Sequence, residues 1–237
     1  MQNSLNSQQL SAFHHDHFVA QQCEHFATLV LADLPRDGDV VDVGGGCGLF
    51  SRAVSCEFGV RTRLIDSDAD SVQMAIDIGV NAVVGDALNP NILPNDKVVC
   101  FNLILHHLVG KSDQITLGMQ STALKKWKRP GIMIFVNEYI YESMFDGFSG
   151  WFIYFITKSP TLSMIGRFVS FFIPSLRANT FGVGVRFRSS EEWRNIFCES
   201  GFSVVREARG IPEPVSLARR LLLIKEIRRD SYLLRCS

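Results

Sequence analysis

The sequence contains no charge-free apolar run near the ~18 residues that a membrane-spanning helix needs, so no transmembrane segment is expected. It has no excess of either charge, with 24 Lys+Arg against 24 Asp+Glu. A chain so balanced has no bulk attraction to nucleic acid or to an anionic membrane. Its one basic cluster, Arg219–Arg229, fits a solvated strand end, and no nucleic-acid partner is expected. The six cysteines form no C-x-x-C and no regular framework, which points to a reduced, cytoplasmic protein. The opening MQNSLNSQQL has neither the basic region nor the apolar core of a signal peptide. There is no internal repeat and no low-complexity tract. Two phosphate-binding patterns are missing as well: the glycine-rich stretch is not G-x-G-x-x-G, and no Lys-Ser/Thr follows it.

What is present centres on Val40 to Phe50, VVDVGGGCGLF. Apolar β-formers run into Gly44, Gly45, Gly46 and Gly48, and LFSRAVSCEF continues with helical spacing. Strand, glycine turn and helix together present bare backbone N–H groups and a helix N-terminus to a ligand. A Cβ would obstruct both the positive-φ turn and the approach of a cofactor. The spacing Asp42-x-Gly44-x-Gly46-x-Gly48 resembles the first motif of class I S-adenosylmethionine (SAM)-dependent methyltransferases. The resemblance implies SAM as cofactor, with Asp42, Gly44, Gly46 and Gly48 in its site.

The acids that follow suit that reading. VRTRLI reads as a second strand ending in Asp66, about 20 residues beyond the turn, where a carboxylate accepts hydrogen bonds from ribose hydroxyls. Asp68 or Ser67 is then the cap of the next helix. NAVVGDAL is a short third strand, and the resemblance puts Asp86 near the adenine amino group with Ala87 against the ring. Lys97 to Leu108, KVVCFNLILHHL, reads as a buried fourth strand whose polar end brings Asn102, His106 and His107 to the ligand crevice, Asn102 on the cofactor side. The absence of an N/D-P-P-Y-type sequence here disfavours methylation of exocyclic base amines.

A helix from Ser112 to Trp127 and a Pro130-Gly131 turn lead into a fifth strand, IMIFVNE, ending at Glu138. The passage NLILHHL…ALKKWKRPGIMIFVNE resembles the His-dependent small-molecule O-methyltransferases. That resemblance puts His106 on the family's catalytic His and Glu138 on the Glu that flanks it. His107 stands where the family has Asp and Leu108 where it has Trp, so His107 is a second candidate base. The family's N-terminal dimerisation domain has no counterpart in this sequence. A His near neutral pKa takes the proton of an attacking hydroxyl, and a carboxylate on its far nitrogen sets the tautomer. His106 and His107 as strand-end or substrate-binding groups are the alternative.

Around this centre, Ser11 to Leu34 reads as an amphipathic helix carrying His14, His15, His17 and His25. His14 and His17 share a face, but no third ligand is evident and no metal site is expected. Residues 140–187 are dense in aromatics, with Phe145, Phe148, Trp151, Phe152 and Phe155 at helical spacing, and Met164 to Phe172 likewise. Two helices over the crevice are expected there, a cap whose apolar surplus lines a pocket, forms a homodimer face or touches a bilayer surface. Arg186 and Arg188 are available to an anionic substrate group or to solvent. Ser189 or Ser190 caps SEEWRNIFCES, and FSVVREAR with RRLLLIKEIRR forms a closing antiparallel pair.

The expected architecture is α/β: a Rossmann-like, doubly wound, seven-stranded, mostly parallel sheet with an N-terminal helical segment and an inserted helical cap. The segment is 1–34, the SAM-binding domain 35–139 plus 188–237, and the cap 140–187. The expected activity is SAM-dependent O-methylation of a small apolar acceptor, aromatic or polyketide-like. The alternatives are a SAM-binding enzyme running a non-transfer reaction and a methyltransferase for a lipid-like acceptor.

Overall fold

The structure, a computed structural model, describes residues 16–145, 147–159 and 184–237. Helix α1 (Asp16–Val30) leads through a short 3-10 turn to β1 (Asp39–Val43), then α2 (Leu49–Phe58), β2 (Thr62–Asp66), α3 (Ala69–Asp77) and β3 (Asn81–Val84). Next come β4 (Asp96–Asn102), a 3-10 turn at Leu105–His107, α4 (Asp113–Lys125), β5 (Met133–Ser143) and α5 (Phe148–Lys158). The chain closes with α6 (Ser190–Glu199), β6 (Phe202–Ala208), α7 (Leu217–Leu221) and β7 (Ile224–Cys236).

The strands form one sheet in the order β3-β2-β1-β4-β5-β7-β6, parallel except for β7, which runs antiparallel to both neighbours. Central strands covered on both faces have no solvent side, hence their unbroken apolar runs. Val40, Val41, Val43, Val98, Val99 and Phe101 are fully buried. One face carries Leu124, Trp127, Trp193 and Phe197 from α4, α6 and the segment after α4. The other carries Phe26, Phe50 and Phe135, with Phe26 edge-on to both partners at 5.7 and 5.6 Å. Strand order reverses between β1 and β4, and that switch point opens a crevice at their carboxyl ends.

Helix α1 runs from the crevice towards the opposite rim of the sheet. The Phe18 ring lies against Arg229, Gln22 donates to Asn137 at 3.4 Å, and the His25 ring meets the Ser231 hydroxyl at 2.9 Å. Just beyond the helix, Asp33 pairs with Arg235 at 2.7 Å.

Several boundaries differ from the sequence reading. The fourth strand stops at Asn102 instead of reaching Leu108, because Leu103 takes a left-handed φ of 56° and the next turn bonds to side chains instead of a neighbouring strand. The fifth strand continues past Glu138 to Ser143, since β7 pairs with it along that whole length. The last strand is Ile224–Cys236, not Arg219–Arg229; Ser216 caps α7 over part of that stretch. In this register Tyr232, Leu233 and Leu234 are buried in the core, and a one-residue slip would turn each to the other face. Arg228 and Arg229 are therefore buried, not solvated. Ser189 is the cap of α6, in a reciprocal capping box with Glu192. The second expected cap helix, over Met164 to Phe172, lies outside the described residues, as do His14 and His15.

At the end of the sheet away from the crevice, Arg63 on β2 and Asp96 on β4 form a buried two-point ion pair, at 2.8 and 2.7 Å, behind β1. Asp96 also accepts the Leu93 N–H at 2.6 Å. Removing one member strands the other charge in the core. Asp96→Ala is expected to cost about 3–5 kcal/mol, read from urea unfolding, while exchanging both partners for apolar residues costs far less.

Candidate functional site

The turn after β1 is shaped by what lies under it. Gly44 has φ 70°, and a Cβ there would sit 2.5 Å from Ile104 Cγ1. Gly46 has φ 56°, yet a Cβ there would meet nothing within 4 Å. The space beside it is open, and any side chain there would project into it.

Asp66, the last residue of β2, accepts the Gly46 N–H on Oδ2 and the Asp68 N–H on Oδ1, both at 2.9 Å. Each carboxylate oxygen keeps a lone pair for a further donor. Asp68, not Ser67, caps α3 by accepting the Ser71 N–H at 3.0 Å. Beyond β3, exposed Asp86 accepts the Leu88 N–H at 2.8 Å, and half-buried Ala87 packs on the core.

Asp42 occupies a different level. It is buried beneath the turn, with Oδ2 accepting from the Ser51 hydroxyl at 2.9 Å and Oδ1 from Asn102 Nδ2 at 3.2 Å. Burial pushes its carboxyl up to about 6, against the lowering effect of those two bonds. The Asn102 bond ties the glycine turn to the tip of β4, while Asn102 Oδ1 is buried without a hydrogen-bond partner.

Three residues on, the Leu105–His107 turn is fastened by three partners. Glu138, fully buried on β5, accepts the Leu105 N–H on Oε1 at 2.7 Å and meets His106 Nδ1 with Oε2 at 2.6 Å. Gln120 of α4 donates to the Leu105 carbonyl at 3.0 Å and is itself held by Arg188 Nε at 2.8 Å. The Arg186 N–H donates to the His106 carbonyl at 2.9 Å. An ionised Glu138 can only accept, so Nδ1 of His106 donates to it, and in the neutral ring Nε2 holds the lone pair. The His107 ring lies 4.1 Å from that of His106, and burial, then its neighbour, keeps its pKa well below the usual imidazole range. Phe187 and Tyr139 border the His106 ring at 4.9 and 6.1 Å.

The glycine turn, Asp66, Asn102 and the His106–Glu138 pair thus converge on the switch-point crevice, and Asp86 rims it one strand outward. Arg186 and Arg188 do not face solvent; both are buried, bonded to Asp113, Glu192 and Gln120. Sequence reasoning missed Ser51 and Gln120. Gln120 did leave a trace, being polar on the face where Thr116, Ala123 and Leu124 are buried. A cavity of about 650 Å³ near Asp33, Lys128 and Arg235 lies at the other end of the sheet and holds none of these residues.

The fold is that of class I SAM-dependent methyltransferases, as solved structures show. The mitomycin 7-O-methyltransferase MmcR superposes with a TM-score of 0.57 at 15% identity, over 93% of this chain and 53% of its own. A SAM-dependent methyltransferase from Methanosarcina mazei matches at 0.55 and 12% identity, over 86% of this chain and 95% of its own. A protein described as a pericyclic reaction enzyme matches at 0.54 and 12%, over 88% of this chain and 45% of its own. The chain therefore spans about half the length of the first and third of these proteins. No family model and no curated protein matches the sequence.

The residues present suit a nucleoside sulfonium. The space beside Gly46 is open, Asp66 lies at its N–H with acceptor capacity remaining, and Asn102 Oδ1, without a partner among the described residues, is a ready acceptor.

Asp42 makes a testable contribution to stability. Its folded pKa of about 6 exceeds the ordinary 3.8, so the folded chain holds the proton more tightly. Its stabilising share is complete below pH ~4 and is lost as pH rises through ~6. Across that window the stability of wild type relative to Asp42→Asn should fall by roughly 2 kcal/mol, measured by urea unfolding at several pH values.

Proposed function

We propose that the protein uses SAM to methylate an oxygen of a small, largely apolar acceptor of aromatic or polyketide-like character. The observation that carries this reading is the buried His106–Glu138 pair at 2.6 Å, one short turn beyond the strand tip that holds Asn102. When bound, SAM supplies an electrophilic methyl group open to in-line displacement. Gly44, Gly46 and Gly48 would give it a backbone cradle, Asp66 the ribose acceptors, Asp86 and Ala87 the adenine contacts, and Asn102 a further acceptor. Asp42 acts from beneath by fixing the turn.

His106 is the general base. With Nδ1–H given to Glu138, its Nε2 takes the acceptor's hydroxyl proton as the oxygen attacks, and Glu138 steadies the resulting imidazolium. His107, kept neutral by burial, adds no second positive charge beside it. The rings of His106, Tyr139, Tyr141 and Phe187, in mutual contact at 4.2–6.4 Å, support an aromatic acceptor.

The division into an N-terminal segment, a sheet domain and a cap belongs to this reading. The exposed aromatic face of α5, Phe148, Trp151 and Phe155, supports a homodimer through the cap. Six free thiols support a cytoplasmic setting, and the charge balance supports a small-molecule acceptor over nucleic acid. No helix among the described residues is long and apolar enough to cross a membrane.

The likeness to a pericyclic reaction enzyme favours one second reading, a SAM-binding enzyme that rearranges its substrate without transfer. Product mass separates the two: methyl transfer adds one methylene, about 14 Da, and rearrangement adds nothing.

Two experiments test the main reading. S-Adenosylhomocysteine should raise the melting temperature of wild type. Gly46→Ala should lower stability by only about 1 kcal/mol, from backbone strain, yet abolish that response. An unchanged response in Gly46→Ala would remove the turn from the cofactor site. His106→Ala and Glu138→Gln should each lower kcat by about 10²–10⁴-fold while the S-adenosylhomocysteine response persists. Near-full turnover in His106→Ala would refute the general base.

A further inference from the structure

Four arginines on the crevice side of the fold are buried, and two of them, Arg228 and Arg186, are each met by two or more carboxylates. Arg228 reaches Glu142, Glu226 and Asp230 at 3.0, 2.6 and 2.9 Å. Arg186 reaches Asp113 and Glu192, both at 2.8 Å. Arg188 leaves Nη2 without a partner, but it is enclosed by Gln120, Glu192 and Trp193 between two helices.

Arg229 is different. It is 6% exposed, and among the described residues its only carboxylate is Glu213, 3.7 Å from Nε, and its buried Nη1 has no hydrogen-bond partner. An unmet donor on a desolvated cation costs the folded chain free energy, which a bound oxygen would recover.

Its place is informative. Arg229 pairs in register with Tyr139, two residues beyond the Asn137↔Ser231 pair, and Asn137 lies level with Asn102 at the tip of β4. The guanidinium is therefore above the strand tips, on the crevice side. It lies 4.1 Å from the Phe18 ring of α1 and 6.0 Å from the Tyr139 ring. The Tyr139 ring in turn stands 6.1 Å from that of His106. One aromatic ring thus separates a cation with an open hydrogen bond from the candidate base.

We propose that Arg229 recognises the acceptor: an oxyanion on a flat aromatic skeleton, a carboxylate in the simplest case, takes the Nη1 hydrogen bond left open by the fold. Phe18 and Tyr139 flank the ring system, and the reacting hydroxyl lies across Tyr139 at His106. The assignment deepens the methyltransferase reading and rests on it, since His106 sets the far end of the substrate. It narrows the acceptor from an apolar aromatic molecule to an aromatic acid. A guanidinium fork suits a carboxylate better than the point charge of a lysine would.

The test uses full-length protein saturated with S-adenosylhomocysteine, titrated calorimetrically with 4-coumarate and with its methyl ester, two probes of matching skeleton that differ in charge. Wild type should bind the acid at least about tenfold more tightly than the ester. R229Q should reduce that preference to about threefold or less while its melting temperature still rises with S-adenosylhomocysteine. R229K keeps the charge without the fork; it should lose part of the preference, and it serves as the variant if R229Q does not fold. Equal affinity for the two probes, binding of neither, or a preference unchanged in the variants overturns the assignment. The wild-type response to S-adenosylhomocysteine separates the two claims. Its absence sinks the methyltransferase reading, whereas an intact response without an acid preference sinks only the role of Arg229.

Discussion

A carboxylate with no solvent to disperse its charge must find donors inside the fold. Glu138 takes both of its donors from one short turn, the Leu105 N–H and the His106 Nδ1–H. That requirement sets much of the crevice. It bends the chain away from β4 after Asn102, holds the His106 ring at a defined angle and selects its tautomer. Gln120 then takes the carbonyl of the same Leu105 peptide, so both polar groups of that unit are satisfied by side chains. Arg188 orients Gln120, which carries the constraint outward to α6.

Beneath the neighbouring turn, Asp42 plays the matching part for the glycines. Its bonds to Ser51 and Asn102 join α2, β1 and β4 at the switch point, and its burial there raises its pKa. The sheet tolerates these buried acids because each is met by donors of its own. The same logic recurs at the far end of the sheet, where Arg63 and Asp96 neutralise one another behind β1. Arg229 departs from this pattern: among the described residues its one carboxylate is Glu213, 3.7 Å away, and its Nη1 hydrogen bond is open.

The α/β order, the glycine turn and the acids at the strand ends were legible in the sequence because each rests on local chemistry. A buried parallel strand must be apolar, a positive-φ turn must favour glycine, and a helix start must find a cap. Boundaries at the crevice were less legible. KVVCFNLILHHL is apolar enough to continue as a strand, and nothing local announces that Leu105 bonds to residues 15 and 33 positions away. RRLLLIKEIRR likewise reads as a strand by itself. That the strand begins only at Ile224 and runs on through SYLLRC beside β5 is a question of burial, which no short window contains.

By itself the sequence determined the class of fold, the position of the glycine cradle and the residue types offered at each strand tip, since these follow from periodicity and backbone sterics. Tertiary structure alone decided which polar groups are satisfied. Asp42 lies beneath the turn instead of on its surface, Arg186 and Arg188 are internal ties instead of solvated charges, and Arg229 keeps one donor free. Whether a charge finds a partner depends on distances between elements remote in the chain, and those distances exist only once the sheet has formed.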